Sequence, residues 1–267
     1  MRTVSLPASA RSRTPSLRAC GILLLAGLGA PPGPAAPVET PARDGTRDEL
    51  RLVARDEHPL HVTRYRPPAG ASAGVVLIHE WGANGGGCWG DLPQQLCRSG
   101  FEVLVPDLRG HGESLIPGTV HPLTPVPTRG DLALIAGDAS FWADALSDSV
   151  ESVLVVGVGW GGTVAARIVA ADRSLLGLIW LGPAGDAAAF DWQPGDLMHR
   201  SLLLVATQED SPSARAAEAI YARFHTTAEL RFFTRGEDGC ALLDAPGVRD
   251  GVLDWARKLA PDASVAP

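Results

Sequence analysis

At 267 residues, with 45% hydrophobic and 20% charged side chains, the chain has the composition of a folded globular protein of one α/β domain, or at most two small ones. Its formal net charge is -7, Lys258 is its single lysine, and the folded part carries no Lys/Arg cluster, so no basic surface is offered to nucleic acid. Its cysteines, Cys20, Cys88, Cys97 and Cys240, lack metal-ligand spacing, and neither a metal nor a cofactor is expected.

The first 36 residues differ from the rest. Arg2, Arg11, Arg13 and Arg18 precede the apolar run Gly21–Ala30, which small residues and prolines follow. A basic segment, a short apolar core and a small-residue exit read as a secretory signal peptide, implying export to the periplasm or medium; a structureless extension is the alternative. The run is shorter than the roughly 20 apolar residues that span a bilayer, so no stable membrane span is expected in the mature protein. Residues 37–46, rich in Pro, Ala and Gly, read as a linker, and residues 47–262 as the domain. Of the three cysteines past the leader one pair could oxidise after export, but the helix expected around Cys97 holds it away from Cys88, and buried free thiols are the expectation.

Along the domain short apolar runs alternate with helical patterns. Glu49–Ala54 and Leu60–Tyr65 alternate like half-exposed strands, whereas Gly74–His79 and Phe101–Pro106 read as buried ones. The helical pattern Asp91–Ser99 separates those last two, and a Pro-rich loop, Ile116–Pro127, leads to a helix over Asp131–Leu146. Strand Val153–Gly157, helix Gly161–Ala171, strand Leu175–Leu181, strand Leu202–Ala206, helix Ser213–Phe224, strand Leu230–Thr234 and helix Val248–Leu259 complete the series. Such alternation predicts an α/β fold with a mostly parallel eight-stranded sheet and helices on both faces.

The stretch Val155–Ala165, VVGVGWGGTVA, fits two templates. As G-x-G-x-x-G, with Gly157, Gly159 and Gly162, it could approach a dinucleotide pyrophosphate, but the following strand ends in Gly182 and Pro183 rather than in the acidic residue that holds a ribose. As G-x-S-x-G it is a nucleophile elbow with Gly159 where serine should stand. Distant segments favour the second. VVLIHEWGAN after the third strand, PDLRGHGES after the fourth and LLLVATQED near the end are similar to motifs of α/β-hydrolases, in that family's order, over about Glu49–Leu259. The short insertion between Pro183 and Arg200 implies a minimal lid, as in compact dienelactone-hydrolase-type and small esterase members.

The resemblance implies acyl transfer by an ordered Ser, Asp and His. Here Gly159 has no side chain to attack with, Asp210 retains the acid position, and Asp238 or Gly239, depending on alignment, stands at the histidine position. The implied oxyanion donors are backbone N–H groups of Trp160 and of the loop around Glu80 and Trp81, and Trp81, Trp160, Trp89, Glu80 and His79 are expected to line the pocket. His111 is expected to brace its loop. Glycine is usual where Glu80 stands, although dienelactone-hydrolase-like proteins can carry a glutamate there that helps to control a cysteine nucleophile. The leading expectation is therefore a catalytically impaired hydrolase-fold protein that binds a small acyl or carboxylate compound, or a protein partner. The alternative is an ester or thioester hydrolase in which Glu80 or Asp210 activates water, and the third is a dinucleotide-binding protein.

Overall fold

A computed structural model describes residues 45–115, 126–184, 197–208, 211–225, 227–233 and 239–260, which fall within one compact unit, Pro41–Pro267. The leader, nearly all of the linker and the insertion expected to form the minimal lid lie outside them. Eight strands make one sheet: β1 (Thr46–Val53), β2 (Pro59–Arg66), β3 (Ala73–Ile78), β4 (Phe101–Pro106), β5 (Ser152–Val158), β6 (Gly177–Leu181), β7 (Ser201–Thr207) and β8 (Ala228–Phe233). Their order is β1-β2-β4-β3-β5-β6-β7-β8. The first hairpin is antiparallel and joins β4 antiparallel; all other pairings are parallel.

Burial follows from this topology. β3, β4 and β6 are buried along their whole length, as strands covered on both faces must be, whereas β1 alternates between exposed and half-buried positions at the sheet edge. Two cores result. On one face α3 (Arg129–Ser147), α4 (Trp160–Ala171) and α5 (Ser211–Phe224) bury Trp142, Ile135, Val164, Ile168 and Phe224. On the other, α1 (Gly85–Trp89), α2 (Leu92–Arg98) and α6 (Val248–Leu259) bury Trp89, Leu92, Leu96, Val252 and Trp255.

Every expected strand and helix is present within a few residues of its predicted bounds. Two elements were not expected: α1, and a 3₁₀ turn over Gly239–Asp244. α1 has no apolar periodicity in its sequence, GGGCW; the Asn84 side chain accepts the Gly87 N–H at its start. α3 shows the opposite case, since Thr128 and Asp131 form a complete capping box.

The expectation of free thiols is overturned. Cys88 in α1 and Cys240 in the 3₁₀ turn form a disulfide across 152 residues of sequence, and Cys97 is a buried thiol outside that bond. Sequence spacing could not reveal a pair that only the packing of α1 against that turn brings together.

Candidate active site

Parallel strands deliver their following loops to one edge of the sheet, and the adjacent β3 and β5 bring two of the expected segments together there. Gly159 lies between β5 and α4 with φ 53° and ψ -118°, the left-handed elbow conformation that costs an L side chain strain. Its carbonyl accepts the Trp180 indole N–H at 3.0 Å. The turn therefore holds this conformation with no side chain at 159.

A β-carbon built on Gly159 would fall on the carboxylate of Glu80, nearest to Oε1. One built on Gly239, which also has positive φ (65°), would fall on Oε2 of the same carboxylate. The half-buried Glu80 side chain thus occupies the volume that side chains at both glycines would need. Of the two candidates for the histidine position, Gly239 faces the Glu80 carboxylate; Asp238, like Asp210, lies outside the described residues.

The remaining glycines of the elbow serve packing. A β-carbon at Gly162 would collide with the Trp180 indole, one at Gly157 with the backbone of Gly161 and Gly162, and one at Gly161 with the carbonyls of Ile78 and His79. α4 consequently lies close against the ends of β3, β5 and β6. The glycines that match G-x-G-x-x-G are filled by protein, and the Glu80 carboxylate at Gly159 would repel a pyrophosphate. This removes the geometric basis of the dinucleotide reading.

The Trp160 N–H lies in the first turn of α4, where no helical carbonyl precedes it, and the next residue, Gly161, packs against the carbonyls of Ile78 and His79, where the loop after β3 begins. That loop is braced by two imidazoles. His79 Nε2 accepts the Leu108 N–H at 2.9 Å, so its proton sits on Nδ1 and is donated to the Glu80 carbonyl at 2.7 Å. Burial is the main cause that holds its pKa down at about 4, and the ring is neutral. His111 Nε2 accepts the Gly82 N–H at 3.0 Å and its Nδ1–H is donated to the Arg109 carbonyl; burial lowers its pKa too. Trp81 packs edge-on against the His111 ring at 4.8 Å.

Asp107, from the PDLRGHGES stretch, ties both loops down. Oδ1 accepts the Gly85 N–H at 2.7 Å, and Oδ2 accepts the Glu113 N–H at 3.0 Å and faces His61 Nδ1 at 3.1 Å. The disulfide and Arg249, which joins Asp91 and Asp244, hold the 3₁₀ turn and hence Gly239 in place.

Two expected pocket residues are displaced from that role. Trp89 is fully buried in the core around α2, because α1 turns it inward. His79 is fully buried with both nitrogens engaged, so it supports the site rather than lining it. Trp81 and Trp160 stay partly exposed beside the elbow. Sequence reasoning singled out Glu80 and Gly159 separately but missed that one carboxylate fills the space at Gly159 and Gly239; no spacing signal encodes it. Among the described residues no group of three or more His, Cys, Asp or Glu could hold a metal ion, and no helix is long and apolar enough to cross a membrane.

A model described as the alpha/beta hydrolase family matches residues 75–267. The chain belongs to that family. An epoxide hydrolase of Caballeronia sordidicola is 30% identical over 123 residues, 45% of this chain; the matched stretch spans only 33% of that relative. Among solved structures, a dienelactone hydrolase of Anabaena variabilis is similar at 21% identity and TM-score 0.58, over 80% of this chain and 96% of its own. An esterase of Pyrococcus furiosus is similar at 13% identity and TM-score 0.62, over 84% and 93%. At such identities the likeness concerns the fold of this hydrolase-family member.

Proposed function

We propose that this alpha/beta hydrolase-family protein has lost the family's two-step acyl-enzyme chemistry and keeps the site as a pocket for a small acyl compound. The observation that carries the reading is the elbow: Gly159 retains the strained conformation of a nucleophile, and the Glu80 carboxylate fills the place of the missing side chain. A serine at 159 could not be accommodated without moving Glu80. Gly239 gives the same answer for a side chain facing the elbow from the 3₁₀ turn.

The carboxylate narrows the ligand. A free carboxylate or a phosphate would have to come up against the Glu80 side chain at the elbow, so a neutral acyl group is favoured. The family resemblance assigns the Trp160 N–H as the donor for its carbonyl oxygen, and Trp81 and Trp160 offer apolar flanks. An exported location belongs to the same proposal. It is supported by the basic and apolar pattern of the first 36 residues and by the Cys88–Cys240 disulfide, a bond that persists in oxidising compartments.

The test is covalent labelling. The full chain is incubated with an alkyl fluorophosphonate and its intact mass is measured, while 4-phenylbutan-2-one, a neutral methyl ketone, is titrated in a thermal-shift assay. The expected outcome is an unchanged mass together with a rise in melting temperature. A stoichiometric phosphonyl adduct would overturn the reading, because it would mean that an activated nucleophile survives.

A further inference from the structure

We propose that the loop after β3, residues 79–84, is an acid-released latch: two imidazoles tie it to the loop after β4 while they are neutral, and their protonation sets it free. The inference stands on hydrogen bonds between the two loops and holds whatever compound the site takes.

The ties are reciprocal. Leu108, in the loop after β4, donates its N–H to His79 Nε2 at 2.9 Å, and Gly82, in the loop after β3, donates its N–H to His111 Nε2 at 3.0 Å. Each loop thus gives one backbone donor to an imidazole of the other. In both rings Nδ1 carries the remaining proton and spends it within the ring's own loop, on the Glu80 carbonyl for His79 and on the Arg109 carbonyl for His111. A change of tautomer cannot spare these contacts. Protonation at Nε2 turns the acceptor into a second donor, N–H against N–H, and at Leu108 the stranded donor belongs to a buried residue, which opposes the charged, latched state.

The surrounding charges set the direction. The two ring centroids are 5.3 Å apart, so a proton on His111 opposes one on His79. Asp107 attracts both, but burial outweighs that attraction and holds both rings below the usual histidine range. Asp107 itself faces His61 Nδ1 at 3.1 Å, and His61 Nε2 faces Glu49 at 2.6 Å. The Arg109 guanidinium is turned to Asp138 and Asp56, and the Glu80 carboxylate lies at Gly159 and Gly239. A freed loop returns its imidazoles to an ordinary value near 6.5, above their latched values, so the open form binds protons first. The latch therefore holds above pH 6.5 and weakens as pH falls toward 4.

The released segment is short and bounded. On one side it continues from β3, and on the other Asp107 Oδ1 accepts the Gly85 N–H, a tie that needs no neutral imidazole. Between them the chain turns at Gly82, with φ 87°, where a β-carbon would meet nothing within 4 Å outside its chain neighbours, so the turn has room to move. Glu80 and Trp81 lie in this span, and the Trp81 ring rests on His111. Acid thus loosens the backbone that carries the Glu80 carboxylate to the elbow, and neutral pH restores it.

Amide hydrogen exchange of the full chain is followed by NMR from about pH 7 down to about pH 4, each rate corrected for its intrinsic pH dependence. The same series is run on His111→Gln and His79→Gln, whose amide oxygens accept an N–H and do not titrate. At neutral pH the Gly82 and Leu108 amides should be protected. Near pH 4 they should exchange within about 10-fold of the unstructured rate, while the β5 amides of Leu154–Val156 stay protected at least about 1,000-fold. Each variant should make the loss of protection less steep in pH, by about one proton. Loop amides still protected near pH 4, or losing protection only together with β5, would overturn the proposal, as would an unaltered steepness in both folded variants. If neither variant folds, the wild-type exchange decides alone.

Discussion

His79 illustrates how a residue can be chemically capable and yet reserved for structure. Its two nitrogens are matched to a backbone donor and a backbone acceptor, and burial disfavours its charged form. The folded-state pKa of about 4 lies below the 6.5 of an unfolded histidine, so the unfolded chain binds the proton first as pH falls. Its contribution is fully present above pH 6.5 and is lost between pH 6.5 and 4, by about 3 kcal/mol. Urea unfolding across that window should show this loss, and His79→Gln should flatten the slope; an unchanged slope would mean that His79 is already charged in the fold. The place of Gly159 at the tip of the turn between β5 and α4 was legible in the sequence because the elbow pattern fixes that position. The destination of the Glu80 side chain was not, since residues 80, 159 and 239 meet only after β3, β5 and the 3₁₀ turn are assembled.

Among the elements, α3 is secured by its start and by one buried ion pair. Arg109 grips Asp138 through Nε and Nη2, both at 2.7 Å, and also reaches Asp56 at 2.7 Å. Removing the guanidinium would leave the buried Asp138 carboxylate without its charge partner. Arg109→Ala should therefore cost about 3 to 5 kcal/mol in denaturant unfolding, whereas Thr128→Ala, which removes only the cap, should cost about 1 kcal/mol. Equal costs would mean that the pair is not what anchors α3. α3 was legible because its apolar spacing and cap agree, as were the buried strands from their continuous Val and Leu runs. α1 was not: three successive glycines carry no helical pattern, and it is held by the Asn84 cap, by Asp107 accepting the Gly85 N–H, and by a disulfide.

At the scale of the whole molecule, a parallel sheet carries the site on its loops, and the Cys88–Cys240 bond joins the segment after β3 to the one after β8. Because it closes a long loop, Cys88→Ser with Cys240→Ser should lower stability by about 2 to 5 kcal/mol, read as a shift in the urea midpoint; an unmoved midpoint would mean that the bond constrains nothing. The central claim concerns the heart of the site: the Glu80 carboxylate stands in the volume that a side chain at 159 would need. The most direct test is a double-mutant cycle in which the unfolding free energies of the full chain are measured for Gly159→Ala, Glu80→Ala and the pair. A methyl group at 159 that collides with Glu80 should cost less once Glu80 is truncated, so the double variant should be more stable than the sum of the single effects by at least about 1 kcal/mol. Additivity within about 0.5 kcal/mol would contradict the claim, because the two side chains would then not compete for the same space.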